Sequence, residues 1–564
     1  MCNVIIIGGM AAGCKAAARL RRLDPDYKIF IVERKPFISF CNCGLPLYAS
    51  GEIEDLYNLE KTPYGVIRNE EYFEEVKNIK VFLNTEAKEL NKEKKEVACY
   101  NRSNNETFTL RYDKLLLAMG SEPLTPQFSY PSSQLISSIY STVDLKYFKV
   151  AAQKGEIEKA VIIGGGLEGC AMIEALSSLW GINVTLIEKH QSLLKDLVDF
   201  EISCFVENNL LPDKVNLLLK KSINKIELDD YNKPVLLLDD GHKIDTDYVF
   251  YCLGAVPNTK LAEKIGIKIG EDGGILVDSQ MKTNQPDIWA AGDCVEVKNL
   301  ITNKNGNTLA GLLANKLGRV AANSIGGKES KVSGFVDAFS LTIFNNKILA
   351  AGITEKVAVD SGFETATVIG SFPDRAEYDP EVKTLIAKLV YEKSSMKLLG
   401  LQIAGEGEGK SFIDAFSVLL SQEKTIYSLI DVGQSCDTSR SLPFSILNCL
   451  GFMAINQEED GIKNIGPLQA SSFHGTFIDL RERNEVDLAP FPENSVHIPL
   501  SELRNRMRDF DLDQPLMFVC GKGPRGYEAA RLFKSKGYKD VSYLGAGSFL
   551  YNKIIKSQPD KMFY

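Results

Sequence analysis

The chain repeats one strand–turn–helix–strand pattern, and this repeat limits the folds that it can adopt. "NVIII" (3–7) is an apolar run, "GGMAAG" (8–13) is a turn of small residues, and a helical stretch leads to "KIFIVE" (28–33). The pattern recurs at 159–189, in "KAVIIGGGLEGCAMIEALSSLWGINVTLIEK". Glycine turns of this kind allow a pyrophosphate to approach a helix N-terminus closely. The repeat therefore predicts two dinucleotide-binding units.

The two copies differ in how completely they carry the pattern G-x-G-x-x-G. The first has Gly8 and Gly13, with Met10 at the middle glycine position, and Glu33 follows Gly13 by 20 residues. The second is complete, and its residues are Gly164, Gly166, Gly169 and Glu188. A carboxylate at this place accepts ribose hydroxyls and repels a 2′-phosphate, which favours NAD over NADP. A lysine follows it directly, so NADPH stays open as an alternative.

Three further apolar strands end in small residues. "YDKLLLAMGSEP" (112–123) lies between the copies, and "DYVFYCLGAVPNT" (247–259) and "TNQPDIWAAGDCVEV" (283–297) follow the second copy. Gly120 and Asp293 stand in turns after such strands, where backbone meets ligand in open α/β sheets. We predict that both residues bind cofactor.

The pattern changes from about residue 335. Antiparallel strands and then helical stretches indicate an α+β unit without a glycine fingerprint. A polar linker (456–466) leads to a last α/β unit, which contains "TFIDLRE" (476–482) and "CGKGPRGY" (520–527).

The composition narrows the classes of function. The formal net charge of −9 argues against nucleic-acid binding, and no apolar run approaches the ~20 residues that span a membrane. The N-terminus enters a strand at once, without a secretion signal. With 12 scattered cysteines and only four histidines, the sequence predicts a cytoplasmic protein with reduced thiols and no metal site.

The segment "SFCNCGLP" (39–46) carries two cysteines, Cys41 and Cys43. A redox pair, a metal site and one working thiol beside a bystander are all open from the residues alone. Cys43 precedes a segment that can start a helix, with Pro46 in its first turn, and a helix N-terminus stabilises a thiolate. A disulfide between the two cysteines closes a small, strained loop. These points favour Cys43 as the working thiol and Cys41 as the bystander.

Three basic residues share one face of the first helix. Lys15, Arg19 and Arg22 are spaced i, i+4 and i+7. Such a face is either a solvated surface or a site for a phosphate-rich ligand.

The order of these motifs resembles the pyridine nucleotide-disulfide oxidoreductases over roughly residues 1–455. "SFCNCGLP" is similar to S-F-x-N-C-G-L-P, the active-site segment of the coenzyme A-disulfide reductase branch. The tail resembles a rhodanese (sulfurtransferase) domain. The resemblance implies an α/β fold with two Rossmann-like FAD- and NAD(P)H-binding domains, an α+β dimerisation domain and a C-terminal rhodanese-like α/β domain. The implied ranges are 1–112 with 255–330 for FAD, 113–254 for NAD(P)H, 331–457 for dimerisation and 462–564 for the rhodanese-like domain.

The resemblance also implies roles for single residues. FAD contacts fall on Gly8, Gly13, Glu33 and Asp293, and NAD(P)H contacts fall on Gly164, Gly166, Gly169 and Glu188. Coenzyme A contacts map to Lys15, Arg19, Arg22, Ser39, Asn42 and, after a loop of different length, Lys77.

The implied chemistry uses one cysteine. Two-cysteine members carry C-x-x-x-x-C, but Tyr48 stands five residues after Cys43, and the stretch 335–460 lacks the histidine base of those members. Cys43 then attacks a disulfide or persulfide and forms a mixed disulfide. The implied activity is reduction of coenzyme A disulfide, coenzyme A persulfide or polysulfide by NADH through FAD, in a homodimer that completes each active site in trans.

The dimerisation domain departs from the family. Tyr378 retains a family tyrosine, whereas Cys436 replaces a tyrosine that is thought to donate a proton. A second thiol near the flavin, a changed substrate preference and a neutral change are three interpretations of Cys436.

The tail carries the rhodanese loop C-x-x-G-x-R. Its backbone N–H groups and Arg525 favour a thiolate and a persulfide at Cys520. "FIDLRE" supplies Asp479 and Arg481 at the family's positions. Sulfane sulfur taken up by Cys520 is expected to pass toward Cys43.

Two other functions remain open. One is an NADH oxidase or peroxidase in which Cys43 cycles through sulfenic acid. The other is a sulfur carrier or redox-sensing flavoprotein with little turnover, supported by the altered segment 436–441. The basic helix face favours the reductase, because O₂ needs no phosphate site.

Overall fold

The structure is a computed structural model of the chain. It describes residues 2–209, 215–307, 310–435, 437, 439–489, 491 and 495–555. Cys436, one of the predicted catalytic residues, lies outside the described residues.

The strands and helices follow one another in three stretches of the chain. The first contains β1 (Asn3–Ile7), α1 (Ala11–Leu23), β2 (Lys28–Val32), α2 (Leu45–Ser50), β3 (Lys80–Phe82), β4 (Thr85–Asn91), β5 (Glu96–Asn101), β6 (Thr107–Arg111), β7 (Lys114–Leu117), β8 (Ser121–Pro123), β9 (Ile136–Ser138), α3 (Thr142–Gln153), β10 (Lys159–Ile163), α4 (Leu167–Ser177) and β11 (Asn183–Glu188). The second contains α5 (Phe200–Asn209), β12 (Val215–Leu219), β13 (Ile223–Leu228), β14 (Pro234–Leu238), β15 (Lys243–Asp245), β16 (Tyr248–Tyr251), β17 (Ala255–Pro257), α6 (Lys260–Glu263), β18 (Ile275–Leu276), β19 (Ile288–Ala290), β20 (Val295–Lys298), β21 (Asn305–Gly306) and α7 (Gly311–Ile325). The third contains β22 (Ala338–Ile343), β23 (Asn346–Gly352), α8 (Glu355–Asp360), β24 (Thr365–Pro373), β25 (Thr384–Glu392), β26 (Leu398–Gly405), α9 (Lys410–Ser421), α10 (Tyr427–Ile430), α11 (Ile446–Asp460), β27 (Lys463–Ile465), α12 (Pro467–Ser471), β28 (Thr476–Asp479), α13 (Arg483–Leu488), β29 (Val496–His497), α14 (Leu500–Arg506), β30 (Leu516–Val519), α15 (Pro524–Ser535), β31 (Val541–Leu544) and α16 (Gly547–Ile555).

The chain divides into two compact units. The first unit comprises residues 1–187 and 221–335, and the second comprises residues 188–220 and 336–564. No helix of the described residues is long and apolar enough to cross a membrane.

The first glycine turn belongs to a parallel sheet in the first unit. The strand order is β19-β7-β1-β2-β3, and β1 pairs with both β2 and β7. Because β1 lies in the middle, its apolar side chains are buried on both faces, which explains the unbroken run "NVIII". Helices α1 and α7 cross closely beside this sheet, and a Cβ on Gly318 would lie 2.3 Å from the carbonyl oxygen of Ala12.

The second glycine turn belongs to another parallel sheet. Strand β10 pairs with β11 on one side and with β16 on the other, and β16 pairs with β9. Small antiparallel sheets, β4-β5-β6 and β13-β14-β15, accompany the two parallel sheets. The two predicted dinucleotide-binding units therefore both have the α/β fold that the repeat indicates.

The second unit contains two different sheets. One is antiparallel with the order β22-β23-β26-β25-β24, and α9, α10 and α11 follow it, as expected for the α+β domain. The other is parallel with the order β27-β31-β30-β28-β29. Asn464 joins them, because its side-chain amide donates to the Ile369 carbonyl (3.1 Å) and accepts from the Ile369 N–H (2.9 Å). The side chain thus replaces a backbone pairing at the edge of β24.

A buried ion cluster fixes the antiparallel sheet of the second unit to its helices. Lys388 in β25 is 3% exposed, and its ammonium lies 3.3 Å from Asp199, 3.2 Å from Glu201 and 2.7 Å from Glu355. Burial acts against the charge on the ammonium, but attraction to the three carboxylates outweighs burial and raises the pKa of Lys388. The cluster holds together only while its cation is present.

Replacing this cation should destabilise the chain. We expect Lys388→Met to cost ~3–5 kcal/mol, because the buried carboxylates of Asp199 and Glu201 and the partly exposed one of Glu355 lose their partner. Lys383→Met is the matched control: it removes an exposed ion pair with Glu406 and should cost about 1 kcal/mol or less. Urea-unfolding midpoints of the two variants and the wild type measure the difference. Equal midpoints for the two variants would show that the cluster is not an important source of stability.

Candidate active site

The two glycine turns have the same backbone geometry. Gly8 and Gly164 both have φ of +107°, in the region that favours glycine. A Cβ on Gly13 would lie 1.8 Å from the Gly8 carbonyl oxygen, and a Cβ on Gly169 would lie 1.9 Å from the Gly164 carbonyl oxygen. Each helix therefore begins in contact with the end of its strand. Gly166, at the start of α4, faces open space, which suits approach by a pyrophosphate.

The two predicted ribose carboxylates are both buried at the ends of their strands. Glu33 accepts hydrogen bonds from the N–H groups of Gly9 (2.7 Å) and Lys35 (2.8 Å). Glu188 accepts one from the N–H of His190 (2.8 Å). Backbone donors therefore hold both carboxylates as acceptors at the positions that the fingerprints predict.

The segment before Cys43 is bound to the first glycine turn. Ser39 has φ of +58° and donates its N–H to the Gly9 carbonyl at 2.7 Å. A short 3₁₀ helix, Asn42–Gly44, then leads into α2. Pro46 stands in the first turn of α2, as the sequence predicts, and the Cys43 side chain is exposed. Left-handed backbone at a non-glycine residue is costly, so the contact with Gly9 holds Ser39 in place.

The segment after Cys43 contacts the second nucleotide unit. Helix α2 packs against α4, the helix of the second glycine turn. The indole N–H of Trp180 donates to the Ala49 carbonyl at 2.7 Å. Lys149 lies over the Tyr48 ring, 4.1 Å from its centre. The short segment around Cys43 therefore touches elements of both glycine turns.

Two polar groups beside Cys43 cannot be identified from the sequence alone. Tyr140 donates its hydroxyl to the Glu168 carboxylate, and the charge of Cys43 acts on Tyr140. Burial is the main reason that the pKa of Glu168 is raised. Asp293, one of the predicted cofactor residues, also acts on Cys43, and burial raises the pKa of Asp293 to about 6. Tyr140 belongs to no recognisable motif, and Glu168 stands at a variable position of the second glycine pattern; their pairing depends on how α4 meets the end of β9.

The basic face of α1 is present and is larger than the sequence indicates. Lys15 and Arg22 are exposed, and the Arg19 guanidinium donates to the side chain of Asn323 at 2.8 Å. Arg319 on α7 lies close enough to Arg19 to help lower the pKa of Arg19, although burial is the main cause. The face therefore combines cations from two helices.

The other predicted coenzyme A residues lie in the same unit. Lys77 is half-buried with its ammonium over the Tyr72 ring, and the Arg21 guanidinium donates to the Lys77 carbonyl at 2.9 Å. Ser39 is buried and Asn42 is half-buried in the Cys43 segment. Gly120, predicted to bind cofactor, has φ of +63° and accepts from the Asn258 N–H at 2.9 Å.

The second unit contains the Cys520 loop. Cys520 follows β30, and its sulfur accepts a hydrogen bond from the Gly523 N–H at 3.1 Å. Gly523 has φ of +118° and directly precedes α15, so the loop curls around the sulfur at a helix start. The Cys520 residue is 1% exposed. This geometry supports stabilisation of a thiolate or persulfide by backbone N–H groups.

Two ion pairs form the wall beside Cys520. The Arg525 guanidinium donates twice to the Glu485 carboxylate, at 2.6 and 2.8 Å. Arg481 and Asp479 form a second, fully buried pair at 2.7 Å. The Glu485 carboxylate is the main cause that raises the pKa of Arg525, and the Cys520 side chain adds to the effect. Arg525 and Arg481, both named from the sequence, therefore lie at the loop, whereas the sequence analysis did not name Glu485.

A cavity of about 720 Å³ opens at this loop. Its lining includes Cys520, Arg525, Lys522, Phe549 and Asn552. The Lys522 ammonium also lies 3.2 Å from the Glu377 carboxylate. That contact places the segment that contains Tyr378 next to the Cys520 loop. Tyr378 itself is 75% exposed.

Comparison with models of known protein families shows which family the chain belongs to. The model for pyridine nucleotide-disulphide oxidoreductases matches residues 2–310, and the model for their dimerisation domain matches residues 339–432. The rhodanese-like domain model matches residues 465–553. The chain belongs to the pyridine nucleotide-disulphide oxidoreductase family and carries a C-terminal rhodanese-like domain.

Individual relatives give a more specific comparison than the family models do. A Pyrococcus horikoshii protein named NAD(P)H coenzyme A polysulfide/persulfide reductase is 30% identical over 72% of this chain and 87% of its own length. An Enterococcus faecalis NADH oxidase is 26% identical over 80% of this chain and 99% of its own length. The structure of an NAD-dependent persulfide reductase from A. fulgidus is 33% identical, with a TM-score of 0.91, covering 97% of this chain and 100% of that chain. A reduced Bacillus anthracis CoADR-RHD is 28% identical, with a TM-score of 0.92, covering 99% and 98%.

The Arg525–Glu485 pair predicts a pH-dependent stability. The bond from Arg525 lowers the pKa of Glu485 to about 2. Its stabilisation is therefore complete above the unfolded carboxyl pKa of ~4.3 and is lost as the pH falls toward 2. Because Glu485 is 35% exposed, we expect Glu485→Gln to cost about 1 kcal/mol or less at pH 7, and the difference should vanish near pH 2.

Unfolding of full-length protein between pH 2 and pH 7 measures this difference. Asp487→Asn, an exposed carboxyl on the same short helix, is the matched control and should show little effect at any pH. A cost of Glu485→Gln that stays the same from pH 7 to pH 2 would contradict the prediction.

Proposed function

We propose that the chain is an FAD-dependent NAD(P)H oxidoreductase that reduces coenzyme A disulfide, coenzyme A persulfide or polysulfide through Cys43. The rhodanese-like domain handles sulfane sulfur on Cys520. The observation that carries the proposal is the position of the Cys43 segment. It is bound to the first glycine turn through Ser39, and it packs through α2 on the helix of the second turn. An exposed thiol that adjoins both nucleotide units suits transfer of electrons from nicotinamide to sulfur.

The cofactors follow from the family and from the two turns. FAD is assigned to Gly8, Gly13, Glu33, Gly120 and Asp293, and NAD(P)H is assigned to Gly164, Gly166, Gly169 and Glu188. Both turns have the close strand–helix contact that a pyrophosphate site needs. Bound FAD supplies an acceptor for the hydride of NAD(P)H and a donor of electrons to sulfur. The buried carboxylate of Glu188 favours NADH because it repels a 2′-phosphate.

The residues of the chain perform the sulfur chemistry. Cys43 as thiolate attacks a sulfur of the substrate and forms a mixed disulfide, and the other sulfur leaves as a thiolate. Lys15, Arg19 and Arg22 bind the phosphates of coenzyme A, and Ser39, Asn42 and Lys77 complete the substrate site. Arg319 extends this basic face and is added to the substrate residues.

The tail and the dimerisation domain have supporting roles. Cys520 holds sulfane sulfur as a persulfide, which the loop N–H groups and Arg525 stabilise. Tyr378 keeps the catalytic role that the family resemblance implies, and its neighbour Glu377 binds Lys522 of the Cys520 loop. A homodimer is expected from the match to the dimerisation domain. Exposed thiols such as Cys41 and Cys43 suit a reducing, cytoplasmic environment.

The names of the relatives agree better with this function than with an NADH oxidase. The persulfide reductase and CoADR-RHD structures cover 97% and 99% of this chain, including its tail. The Enterococcus faecalis NADH oxidase covers 80%. The basic face of α1 also favours a phosphate-bearing substrate over O₂.

The central test is turnover with and without the Cys43 thiol. Under anaerobic conditions, wild-type protein with NADH and coenzyme A persulfide should oxidise NADH and release sulfide. Cys43→Ser should lower this rate by ~10³-fold or more, because the nucleophile is removed. Cys2→Ser, a half-buried cysteine outside the site, should keep the wild-type rate. Undiminished turnover in Cys43→Ser would overturn the proposal, and O₂ consumption without persulfide turnover would favour the oxidase.

The basic face gives a separate prediction about substrate choice. Lys15→Gln with Arg22→Gln should raise KM for coenzyme A persulfide about fivefold per charge, close to 1 kcal/mol each, and should leave kcat unchanged. A small persulfide without phosphates should show no change in KM. Lys28→Gln, an exposed cation on β2, is the matched control. An equal effect on both substrates would mean that this face does not bind phosphate.

A further inference from the structure

The rhodanese-like domain contacts the edge strand of the antiparallel sheet at more than one point. Besides the pairing of Asn464 with Ile369 in β24, the Ser371 hydroxyl of the same strand donates to the Ala546 carbonyl at 2.9 Å. Ser371 is 7% exposed and Ala546 is 1% exposed, so this hydrogen bond is buried. The antiparallel sheet therefore contacts the segment 545–549 of the rhodanese-like domain directly.

The segment 545–549 has a backbone conformation that its neighbours must hold. Ala546 has φ of +58°, in the left-handed region that is costly for a residue with a Cβ. The Gly545 N–H donates to the Ile465 carbonyl at 2.8 Å. One hydrogen bond to β27 and one from Ser371 in β24 thus hold the two residues at this turn.

The same segment holds the Cys520 loop. The Ser548 N–H, at the start of α16, donates to the Cys520 carbonyl at 2.8 Å. The Phe549 N–H donates to the Gly521 carbonyl at 3.0 Å. These bonds fix the two peptide units that follow Cys520, and the next peptide unit supplies the Gly523 N–H that donates to the sulfur. The position of the sulfur's donor therefore depends on the start of α16.

We propose that Ser371 is a positioning residue for Cys520. This inference rests on the proposed role of Cys520 as a carrier of sulfane sulfur. Ser371 acts through Ala546 on the segment 545–549, and this segment fixes the loop around the sulfur. Without the hydroxyl, the buried Ala546 carbonyl loses this donor, and the segment would shift to find another partner. Such a shift loosens the loop that stabilises the persulfide.

A second contact joins the antiparallel part of the second unit to the Cys520 loop. Glu377, shortly after β24, lies 3.2 Å from the Lys522 ammonium. Both side chains are exposed, so this ion pair contributes little to the position of the loop. The buried hydrogen bond of Ser371 is therefore the contact whose loss should have the larger effect.

The test measures how fast Cys520 takes up sulfur in full-length protein without NADH. The Cys520 thiolate attacks the outer sulfur of coenzyme A persulfide, the S–S bond breaks, Cys520–S–SH forms and coenzyme A leaves as a thiolate. Peptide mass analysis after alkylation follows the sulfur added to Cys520 separately from any reaction at Cys43. Ser371→Ala should slow this uptake about fivefold, the rate equivalent of one net hydrogen bond.

Two further variants separate positioning from general stability. Ser371→Thr keeps a hydroxyl and should take up sulfur at close to the wild-type rate. Ser542→Ala removes another buried hydroxyl, which donates to the Leu516 carbonyl at 3.2 Å, and should lower thermal stability without slowing the uptake. Reduction of coenzyme A disulfide by NADH needs no sulfane sulfur and should be unchanged in all three variants.

The outcomes distinguish this inference from the proposed function. Equal uptake rates in the wild type and Ser371→Ala would overturn the inference and leave the proposed function intact. The inference would also fail if Ser542→Ala slowed the uptake equally, if Ser371→Thr restored nothing, or if Ser371→Ala lost disulfide reduction as well. Each of these results would assign Ser371 to stability alone. A wild-type Cys520 that takes up no sulfur would overturn the proposed role of Cys520 itself.

Discussion

The hydrogen bond from the Ser39 N–H to the Gly9 carbonyl, 2.7 Å long, fixes the start of the segment that carries Cys43. Gly9 is available as an acceptor only because Gly8 turns with φ of +107° at the end of β1. Ser39 in turn adopts left-handed backbone, which redirects the chain into the 3₁₀ helix and α2. The turn that shapes a nucleotide site thus also positions Cys43. A substitution that disturbs the turn is expected to affect cofactor binding and sulfur chemistry together.

The glycine turns could be predicted from sequence because their cause is local. A Cβ on Gly13 or Gly169 would collide with a carbonyl five residues earlier. A glycine at each position therefore indicates this close approach of the backbone. The predictions of the family and of its α/β fold, which depend on these glycine turns, are confirmed. The start of the helix after Cys43 could also be predicted from the sequence, because Pro46 is typical of a first helical turn.

Side-chain pairing across the fold could not be predicted in this way. Tyr140 and Glu168 meet because α4 approaches the end of β9, and no spacing in the sequence records that approach. Arg319 joins the basic face only through the packing of α7 against α1. The roles given to all of these residues stay predictions.

The family comparison leaves a question about protons, and the structure suggests an answer. The stretch 335–460 has no histidine, and the family tyrosine at position 436 is a cysteine. Cleavage of a disulfide still needs an acid for the departing thiolate. In the first unit, the Tyr140 hydroxyl donates to the Glu168 carboxylate and lies within electrostatic reach of Cys43. A hydroxyl proton therefore lies in the compact unit that carries Cys43, and its use as the acid is a prediction.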